Sequence, residues 1–452
     1  MMRRIAALLA VLLASLGLTA RADGTPEPPR CPDPTGAEDF GHVGPAEAKV
    51  DAGALQELLD WMSSRNAASV RVYRHGCLIG ASRQDAVTQD LPRSWFSASK
   101  AVNALLVGRA VQLGFLSLSD PVSRWFPEAD AAHGKVLLGQ IITMTGGLRV
   151  SLSGDTWTNS STDGVRIALH QAVEHEPGTY YSYQQHGLSL LLACVQRAVG
   201  RDVQDFAQQE LFGKLGIARD QWFWVRDRAG WTEGWYGLVM SPRLMPRLAQ
   251  LMLHDGVWNG ERLLSHEFVR AAGSPTPTNG GYGYLMWTNR GDSYVTTEFP
   301  GRHLVHRPLI PSAPRDLYEF AGLGGQNLYI IPSLDIVIER SGENPSRDNA
   351  PDYSRGGGGD YEWELFRMLN HAVTDADWGD PGPFQPLEPA PTDPGTLVDT
   401  EQGLAGLGVG ARAGGCNPAG CDGSIDFSGF ERQRSEIGGY VQGLTTRGVI
   451  RP

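Results

Sequence analysis

The stretch Ser94-Trp-Phe-Ser-Ala-Ser-Lys-Ala-Val-Asn-Ala-Leu-Leu-Val-Gly-Arg-Ala-Val-Gln-Leu-Gly114 decides the fold, because it sets a reactive pair at the start of an apolar helix. Apolar residues recur at helical spacing from Ala101 to Val111, and Gly114 is a typical stop signal. The pattern predicts a largely buried helix with Ser97 and Lys100 in its first turn.

Ser97 and Lys100 are three residues apart, so their side chains share one face of the predicted helix. A neutral lysine amine there could accept the serine proton and make the serine a nucleophile. Burial on so apolar a helix would favour the neutral amine, and the free N–H groups of the first turn favour developing negative charge. The alternative is a serine that caps the helix, followed by a lysine in solvent.

The charge of the chain excludes some partners. Its 452 residues include 50 acidic and 39 basic ones, a formal net charge of −11. Nucleic acid and anionic membrane surfaces are therefore not expected as partners. Arginine carries nearly all of the positive charge, and against that background a lysine at position 100 stands out.

The first 22 residues have the pattern of a signal peptide. Arg3-Arg4 precede an apolar stretch from Ile5 to Leu18, and Ala20-Arg21-Ala22 has small residues where signal peptidase cleaves. Cleavage after Ala22 predicts a periplasmic or secreted protein. No other apolar run is long enough to span a bilayer, so no stable membrane insertion is expected after cleavage.

Strand patterns near both ends of the chain enclose a helix-rich middle. A helix is predicted at 55–62, a hairpin at 69–79, helices at 188–199 and 361–371, and strands at 282–287, 327–331 and 336–340. This order predicts an α+β fold, in which one antiparallel sheet is built from both chain ends, is flanked by helices and receives an inserted all-helical region at about 115–250.

Composition divides the chain into four parts. After the signal peptide, residues 23–48 are rich in Pro and Gly and predict an extended lead-in. Residues 49–374 form the predicted domain. Residues 375–452 are rich in Gly, Pro, Asp and Thr and predict a tail that is disordered or wraps around the domain.

Five cysteines leave at least one unpaired in an oxidising compartment. Cys416 and Cys421 can close a small loop and are the most plausible disulfide. Cys194 lies in an apolar run and is expected to be buried. Cys31 and Cys77 could pair with each other or stay free.

A second chemical element is Pro177-Gly-Thr-Tyr-Tyr-Ser-Tyr-Gln-Gln185, which precedes an apolar helix. Tyr183 and Gln185 would project from a loop at the start of that helix. A phenol there can pass a proton to a leaving group, and an amide can hold a substrate. The alternative is a set of tyrosines that only pack at an interface.

A third element is Ala321-Gly-Leu-Gly-Gly-Gln326, which runs straight into a strand. Glycines beside a strand allow close approach to the backbone, and an edge strand can offer an N–H group to an oxyanion. The alternative is a bulge or a tight turn. A phosphate loop is disfavoured, because no lysine and no helix follow the glycines.

Two other kinds of catalytic site fit the sequence poorly. A Ser-His-Asp hydrolase lacks its usual G-x-S-x-G turn here. His170 and His175 are five residues apart, point to different helix faces and are expected at the surface. No metal site and no cofactor are therefore predicted.

The three elements, in this order, resemble the serine β-lactamase-related family, which includes penicillin-binding proteins, class C β-lactamases, esterases and aminohexanoate-oligomer hydrolases. The Ser97-x-x-Lys100 spacing is the family's SxxK signature. Gly114-Phe-Leu-Ser-Leu-Ser-Asp-Pro-Val122, Ile141-Ile-Thr-Met-Thr-Gly-Gly-Leu148 and the stretch from Gly237 to Gly260 resemble its later segments. The resemblance covers residues 50–372 and implies the family's α+β fold.

The resemblance implies Ser97 as the acyl-forming nucleophile, Lys100 as its proton partner and Tyr183 as the family's catalytic tyrosine. Gln185 takes the place of the asparagine in the Tyr-x-Asn motif. Leu323-Gly324-Gly325 match the Lys-Thr-Gly strand motif, and the N–H groups of Ser97 and Gln326 would form the oxyanion hole.

Leu323 has no charge with which to bind the carboxylate of a β-lactam or a peptidoglycan stem. The resemblance is therefore to the aminohexanoate-hydrolase and esterase branch, with a small amide or ester as substrate. The alternative is an inactive family member that binds cell-wall or extracellular ligands.

Overall fold

A computed structural model of the chain describes residues 27–151, 163–298, 301–345, 359–387 and 428–450. The helices are α1 Ala52–Ser64, α2 Asp85–Thr88, α3 Ala98–Gln112, α4 Ala131–Gly134, α5 Leu138–Ile142, α6 Gly164–His170, α7 His186–Val199, α8 Val203–Ala207, α9 Pro246–Leu253, α10 His266–Ala272, α11 Gly359–Ala372 and α12 Ser428–Thr446. The strands are β1 Ala67–Arg74, β2 Cys77–Ala81, β3 Arg93–Ser94, β4 Trp222–Trp224, β5 Leu238–Met240, β6 Val257–Trp258, β7 Glu261–Arg262, β8 Trp287–Thr288, β9 Tyr294–Val295, β10 Leu304–Val305, β11 Tyr318–Gly322, β12 Gln326–Ile331 and β13 Ile336–Gly342.

The main sheet has six strands in the order β2-β1-β13-β12-β11-β8, and neighbouring strands are antiparallel. The two strands from the N-terminal part therefore join four strands from the C-terminal part, which confirms the predicted α+β fold. Every residue of β12 and β13 is buried. Such continuous burial shows that these central strands are covered on both faces.

Helices cover the sheet as their apolar spacing requires. Helix α1 packs on β1 and β2 and on α11, and α9 packs on β12 and β13. Helix α3 packs against β11 and α7. Every residue of α3 from Ala98 to Ala110 is buried, in agreement with its apolar composition.

The inserted region at about 115–250 was predicted to be all-helical; it contains helices, but it also contains strands. The region contains β4 and β5, which join β3 in a separate sheet of order β3-β5-β4. Each of these strands has only two or three residues, too few for a clear alternation of polar and apolar residues.

The predicted strand at 282–287 is also wrong. Tyr282 and Trp287 form an isolated bridge to each other, and Leu285 between them has a φ of +55°. The chain therefore turns back on itself there, and the strand β8 begins only at Trp287. A run of aromatic and apolar residues suits a tight buried turn as well as a strand.

The C-terminal part of the chain returns to the domain. The Trp378 indole donates a hydrogen bond to the Ser312 carbonyl at 2.8 Å. Further on, α12 packs on β4 through Tyr440 and Leu444, which meet Phe223. This helix was not predicted from the sequence, because its polar, glycine-containing composition hides its narrow apolar stripe.

Three of the five cysteines lie in the described part of the chain. Cys31 and Cys77 form a disulfide, which resolves the two alternatives left open for them. Cys194 is free and buried, as predicted. The predicted pair of Cys416 and Cys421, like the predicted signal peptide, lies outside the described residues.

Among the helices of the described ranges, none combines the length and apolar character that a membrane crossing needs.

Helix α3 approaches α10 closely at Gly108. A Cβ atom on Gly108 would lie 2.6 Å from an atom of the Phe268 ring, inside van der Waals contact. We expect Gly108→Ala to lower the free energy of unfolding by about 1–3 kcal/mol, because the overpacking outweighs the gain of about 1 kcal/mol in helix propensity. Urea unfolding followed by circular dichroism measures the change.

Gly439→Ala is the matched control, since Gly439 lies in α12 and an added Cβ atom would meet nothing within 4 Å. We expect this variant to be unchanged or slightly more stable. Equal stability changes at the two positions would contradict the close packing of α3 on α10.

Candidate active site

Ser97 stands at the N-terminus of α3, directly after a sharp turn of the backbone. Phe96 has a φ of +43°, a left-handed conformation that is unfavourable for an aromatic residue, and Ser97 already has helical angles. Trp95 ties the turn to β5, because its backbone N–H donates to the Leu238 carbonyl at 2.9 Å and its indole donates to the Met240 carbonyl at 3.0 Å. The strained residue is therefore held in place by the small sheet, as strained residues at functional sites usually are.

The amine of Lys100 lies 2.7 Å from the hydroxyl oxygen of Ser97. Lys100 is only 1% exposed, and its amine also donates to the Trp235 carbonyl at 3.2 Å. The ring of Tyr183 lies 4.6 Å from the amine, measured to the ring centroid. The alternative of a lysine in open solvent does not fit this geometry.

The phenol of Tyr183 reaches the same serine. Its hydroxyl is hydrogen-bonded to Ser97, and burial raises the pKa of Tyr183 to about 12. At neutral pH the phenol therefore holds its proton and can act as a donor. The Tyr183 ring also stacks on Trp287, with ring centroids 5.8 Å apart. The fold thus brings Ser97, Lys100 and Tyr183 together in one place.

The carboxylate of Glu298 holds the backbone of Tyr183. It accepts the Tyr183 N–H at 3.0 and 3.2 Å, one distance to each oxygen. Burial raises the pKa of Glu298 to about 7, although its backbone hydrogen bonds act in the opposite direction. Glu298 was not among the predicted site residues, because no local motif connects it with a residue 115 positions away.

Gln185 lies at the N-terminus of α7, half-buried. Its side-chain oxygen is buried and has no hydrogen-bond partner among the described residues. A buried acceptor without a partner is costly unless another group completes it. The oxygen of its neighbour Gln184, in contrast, accepts the Gly187 N–H at 2.8 Å.

The glycine-rich element forms the hairpin between β11 and β12. The Gly325 N–H donates to the Gly322 carbonyl at 3.1 Å, and Gly324 has a φ of +76°, as in a type II turn. A Cβ atom on Gly322 would lie 2.3 Å from the Trp95 carbonyl oxygen. Glycine is therefore required for β11 to lie against the start of α3, which explains this part of the motif physically.

One edge of β11 is left unpaired near its glycine end, which lies against the residues just before α3. The Leu317 carbonyl accepts from Asn289 at 2.8 Å, on the β8 side of the strand, whereas the Gly322 carbonyl faces β12. Because N–H groups alternate between the two edges of a strand, those of Ala321 and Leu323 point to the β8 side, where β8 no longer pairs with β11. An oxyanion donor from this hairpin is best placed at Leu323.

Gln326 does not lie on that edge. It is paired with Gly322 across the hairpin, and its side-chain amide donates to the Gly342 carbonyl at 2.6 Å. The oxyanion role that the resemblance implied for Gln326 is therefore better assigned to the N–H of Leu323. Leu323 itself has an exposed apolar side chain at the rim of the site.

Trp235 is a second residue of the site that was not predicted from the sequence. Its carbonyl binds the Lys100 amine, and its indole donates to the buried carboxylate of Glu233 at 3.1 Å. The contact between Lys100 and the Trp235 carbonyl exists only because the fold places this loop beside β5, so no sequence motif predicts it.

Within the described ranges, no three His, Cys, Asp or Glu side chains converge as ligands of a metal ion. His170 ends α6 and is exposed, and His175 follows outside the helix and is half-buried.

Comparison with known proteins supports the resemblance to the serine β-lactamase-related family. Residues 53–340 match the model of the family described as Beta-lactamase. The 6-aminohexanoate-dimer hydrolase of Paenarthrobacter ureafaciens is 23% identical over 272 residues, which make up 56% of this chain and 66% of that relative. About a third of that relative is therefore left unmatched.

Two solved structures have the same fold. The β-lactamase/D-alanine carboxypeptidase of Pseudomonas syringae gives a TM-score of 0.52 at 19% identity and covers 71% of this chain and 99% of its own. EstCE1, described as a hydrolase with promiscuous acyltransferase activity, gives a TM-score of 0.50 at 15% identity and covers 70% and 98%. At these identities the likeness concerns the fold.

The raised pKa of Glu298 predicts a pH-dependent stability. Between the ordinary pKa of about 4.5 and the folded value of about 7, the folded state binds more protons than the unfolded state. The stabilising effect of this group is therefore full below about pH 4.5 and is lost as the pH rises through 7. The loss should approach about 3 kcal/mol at most.

Glu298→Gln keeps an acceptor for the Tyr183 N–H and removes the titration. We expect the difference in free energy of unfolding between wild type and variant to move in favour of the variant from pH 5 to pH 8. Urea titrations across that range measure it, and burial of Glu339, whose pKa is raised to about 8, affects both proteins equally. A constant difference across the range would contradict the buried, protonatable Glu298.

Proposed function

The chain belongs to the Beta-lactamase family, and on that premise we propose that it is a serine hydrolase that cleaves an amide or ester through an acyl-enzyme on Ser97. The observation that carries the proposal is the 2.7 Å contact between the buried Lys100 amine and the Ser97 hydroxyl. A buried amine beside a serine is the arrangement that makes the hydroxyl nucleophilic without a histidine.

In the first half-reaction, the Ser97 oxygen attacks the carbonyl carbon of the substrate and its proton passes to Lys100. The N–H groups of Ser97 and Leu323 stabilise the oxyanion of the tetrahedral intermediate. The bond to the leaving group then breaks, and Tyr183, whose phenol is neutral, donates the proton that the leaving group needs. Lys100 then returns the proton it took from Ser97 to Tyr183, whose ring lies beside the amine.

In the second half-reaction, water attacks the acyl-enzyme carbonyl and gives its proton to the same lysine and tyrosine pair. The ester bond to Ser97 breaks, the acid product leaves and the Ser97 hydroxyl is restored. No proton is gained or lost by the protein over the cycle, so the side chains suffice as the acid and the base.

The substrate is proposed to be a small amide or ester without a carboxylate next to the scissile bond. Leu323 stands where the family pattern has a lysine, and its exposed apolar side chain cannot pair with a carboxylate. The likeness to the 6-aminohexanoate-dimer hydrolase supports an amide substrate. The unpartnered oxygen of Gln185 could accept the N–H of such an amide.

The second candidate function is that of a binding protein without catalytic activity. The contact network around Ser97 argues against it, because a protein that only binds a ligand has no need for a desolvated amine beside a serine. Burying that amine costs free energy that a binding site would not require.

A fluorophosphonate probe tests the hydrolase. We expect wild-type protein to gain the mass of one phosphonyl adduct, Ser97→Ala to gain none, and Lys100→Met to react at least about a hundredfold more slowly because its serine has no base. Intact-mass spectrometry follows the reaction, and Lys135→Met is the matched control, since Lys135 pairs with Glu176 at the surface. A folded wild type that stays unlabelled would favour the binding protein.

We also propose that the protein is exported and cleaved after Ala22. The N-terminal sequence supports this, and so does the Cys31–Cys77 disulfide, because disulfides persist in oxidising compartments. Expressed with its natural N-terminus in a Gram-negative host, the protein should occur in the periplasm or medium with Asp23 as its first residue. N-terminal peptide mass spectrometry tests this, and a cytoplasmic chain that retains residues 1–22 would contradict it.

A further inference from the structure

We propose that Arg340 and Gln326 are positioning residues that clamp the hairpin loop Leu323–Gly325, so that the Leu323 N–H stays aimed at the oxyanion. The inference rests on the proposed function, because an oxyanion forms only if Ser97 attacks a carbonyl. It assigns a role in the reaction to two buried side chains that do not touch the substrate.

Arg340 lies on β13 and is fully buried. Its guanidinium donates to the carbonyls of Gly324 at 2.9 Å and Gly325 at 2.8 Å, both in the hairpin loop. Its other terminal nitrogen donates to the carbonyls of Arg65 at 2.7 Å and Glu343 at 2.8 Å, outside the loop. One planar cation thus joins the loop to two fixed points beside the main sheet.

Gln326 holds the loop from its other end. Its amide nitrogen donates to the Gly342 carbonyl at 2.6 Å, and its amide oxygen accepts the Gly342 N–H at 3.1 Å. These paired bonds fasten the first residue of β12 to the last residue of β13. Both the turn and its exit are therefore attached to the same central strand.

The loop needs such attachment because of its composition. Gly324 and Gly325 both have positive φ, at +76° and +74°, and glycine loses more conformational freedom on ordering than any other residue. An oxyanion donor acts only when it is held close to its productive position, within about half an ångström. A charged donor to a carbonyl is roughly twice as strong as a neutral one, so Arg340 is suited to fix this flexible turn.

The loop is also shaped around the guanidinium. A Cβ atom on Gly325 would lie 2.6 Å from a terminal nitrogen of Arg340. The glycine is therefore required at this position to let the cation reach the carbonyls. The glycine motif was predicted to allow close approach to the backbone. Gly325 does so for the Arg340 guanidinium, on the side of the loop away from the substrate.

Arg340→Lys tests the clamp with a conservative change, because an ammonium cannot span the four carbonyls that the planar fork reaches. We expect kcat for p-nitrophenyl acetate and the rate of fluorophosphonate labelling to fall about 10- to 100-fold, with KM nearly unchanged, since a donor displaced by about 1 Å can cost that much. Methylguanidinium should partly restore the kcat of Arg340→Ala.

Arg74→Lys is the matched control. Arg74 is likewise a buried arginine, bonded to the carbonyls of Leu334, Ala48 and Lys49 and paired with Asp375 at 2.8 Å, but it lies on β1 and away from the hairpin. This variant should lose a similar amount of thermal stability and keep its kcat. Equal kcat losses in the two lysine variants, after comparison of their Tm values, would overturn the clamp and leave a merely structural arginine.

A second variant covers the case in which Arg340→Lys does not fold. Gln326→Met removes the paired bonds to Gly342 at nearly constant volume and should lower kcat in the same way. Wild-type kcat in a folded Gln326→Met would overturn the proposal. A wild type without Ser97-dependent turnover would instead overturn the proposed function, and the clamp with it, so the two failures are distinguishable.

Discussion

The structure around the active site depends on the burial of the Lys100 amine. Lys100 can lie beside Ser97 without solvent only because parts of the chain far apart in sequence close around it. The Trp235 carbonyl accepts one of its hydrogen bonds and the Tyr183 ring covers it, with the amine 4.6 Å from the ring centroid. A desolvated amine is expensive to bury, and its cost is offset by these contacts and by the packing of α3. The helix, the aromatic loop and the small sheet are therefore one structural unit.

The active site lies between the small sheet β3-β5-β4 and strand β11, and these two parts are held in place by different contacts. On one side, β5 accepts both hydrogen bonds of Trp95, and β4 of the same small sheet packs on α12, whose Glu436 pairs with the buried Arg226 at 2.9 Å. Arg226 also pairs with Asp202 at 2.9 Å, so Glu436 joins the C-terminal helix to a buried group of charges beside the sheet that holds the serine turn. On the other side, β11 lies against the start of α3 because Gly322 has no Cβ atom to collide with the Trp95 carbonyl. The fully buried central strands behind β11 give its hairpin a rigid base.

Much of this could be predicted without coordinates. The SxxK spacing, the apolar helix after it, the tyrosine before α7 and the glycine-rich hairpin are local patterns, and local patterns are governed by helical and strand periodicity. The fold class followed from the order of those patterns along the chain. The short strands β4 and β5 and the helix α12 were missed, because they owe their stability to contacts with distant residues rather than to their own sequence.

The roles of individual groups in the site depended on tertiary structure. Glu298 and Trp235 reach Tyr183 and Lys100 only after the chain has folded, and no spacing in the sequence announces them. The choice of Leu323 as the oxyanion donor rests on which edge of β11 is left unpaired, a matter of strand pairing. The amino-acid sequence by itself determined which chemical groups are available and how far apart they lie along the chain. Only packing decided which of them meet, because hydrogen bonds and burial act through distance in space.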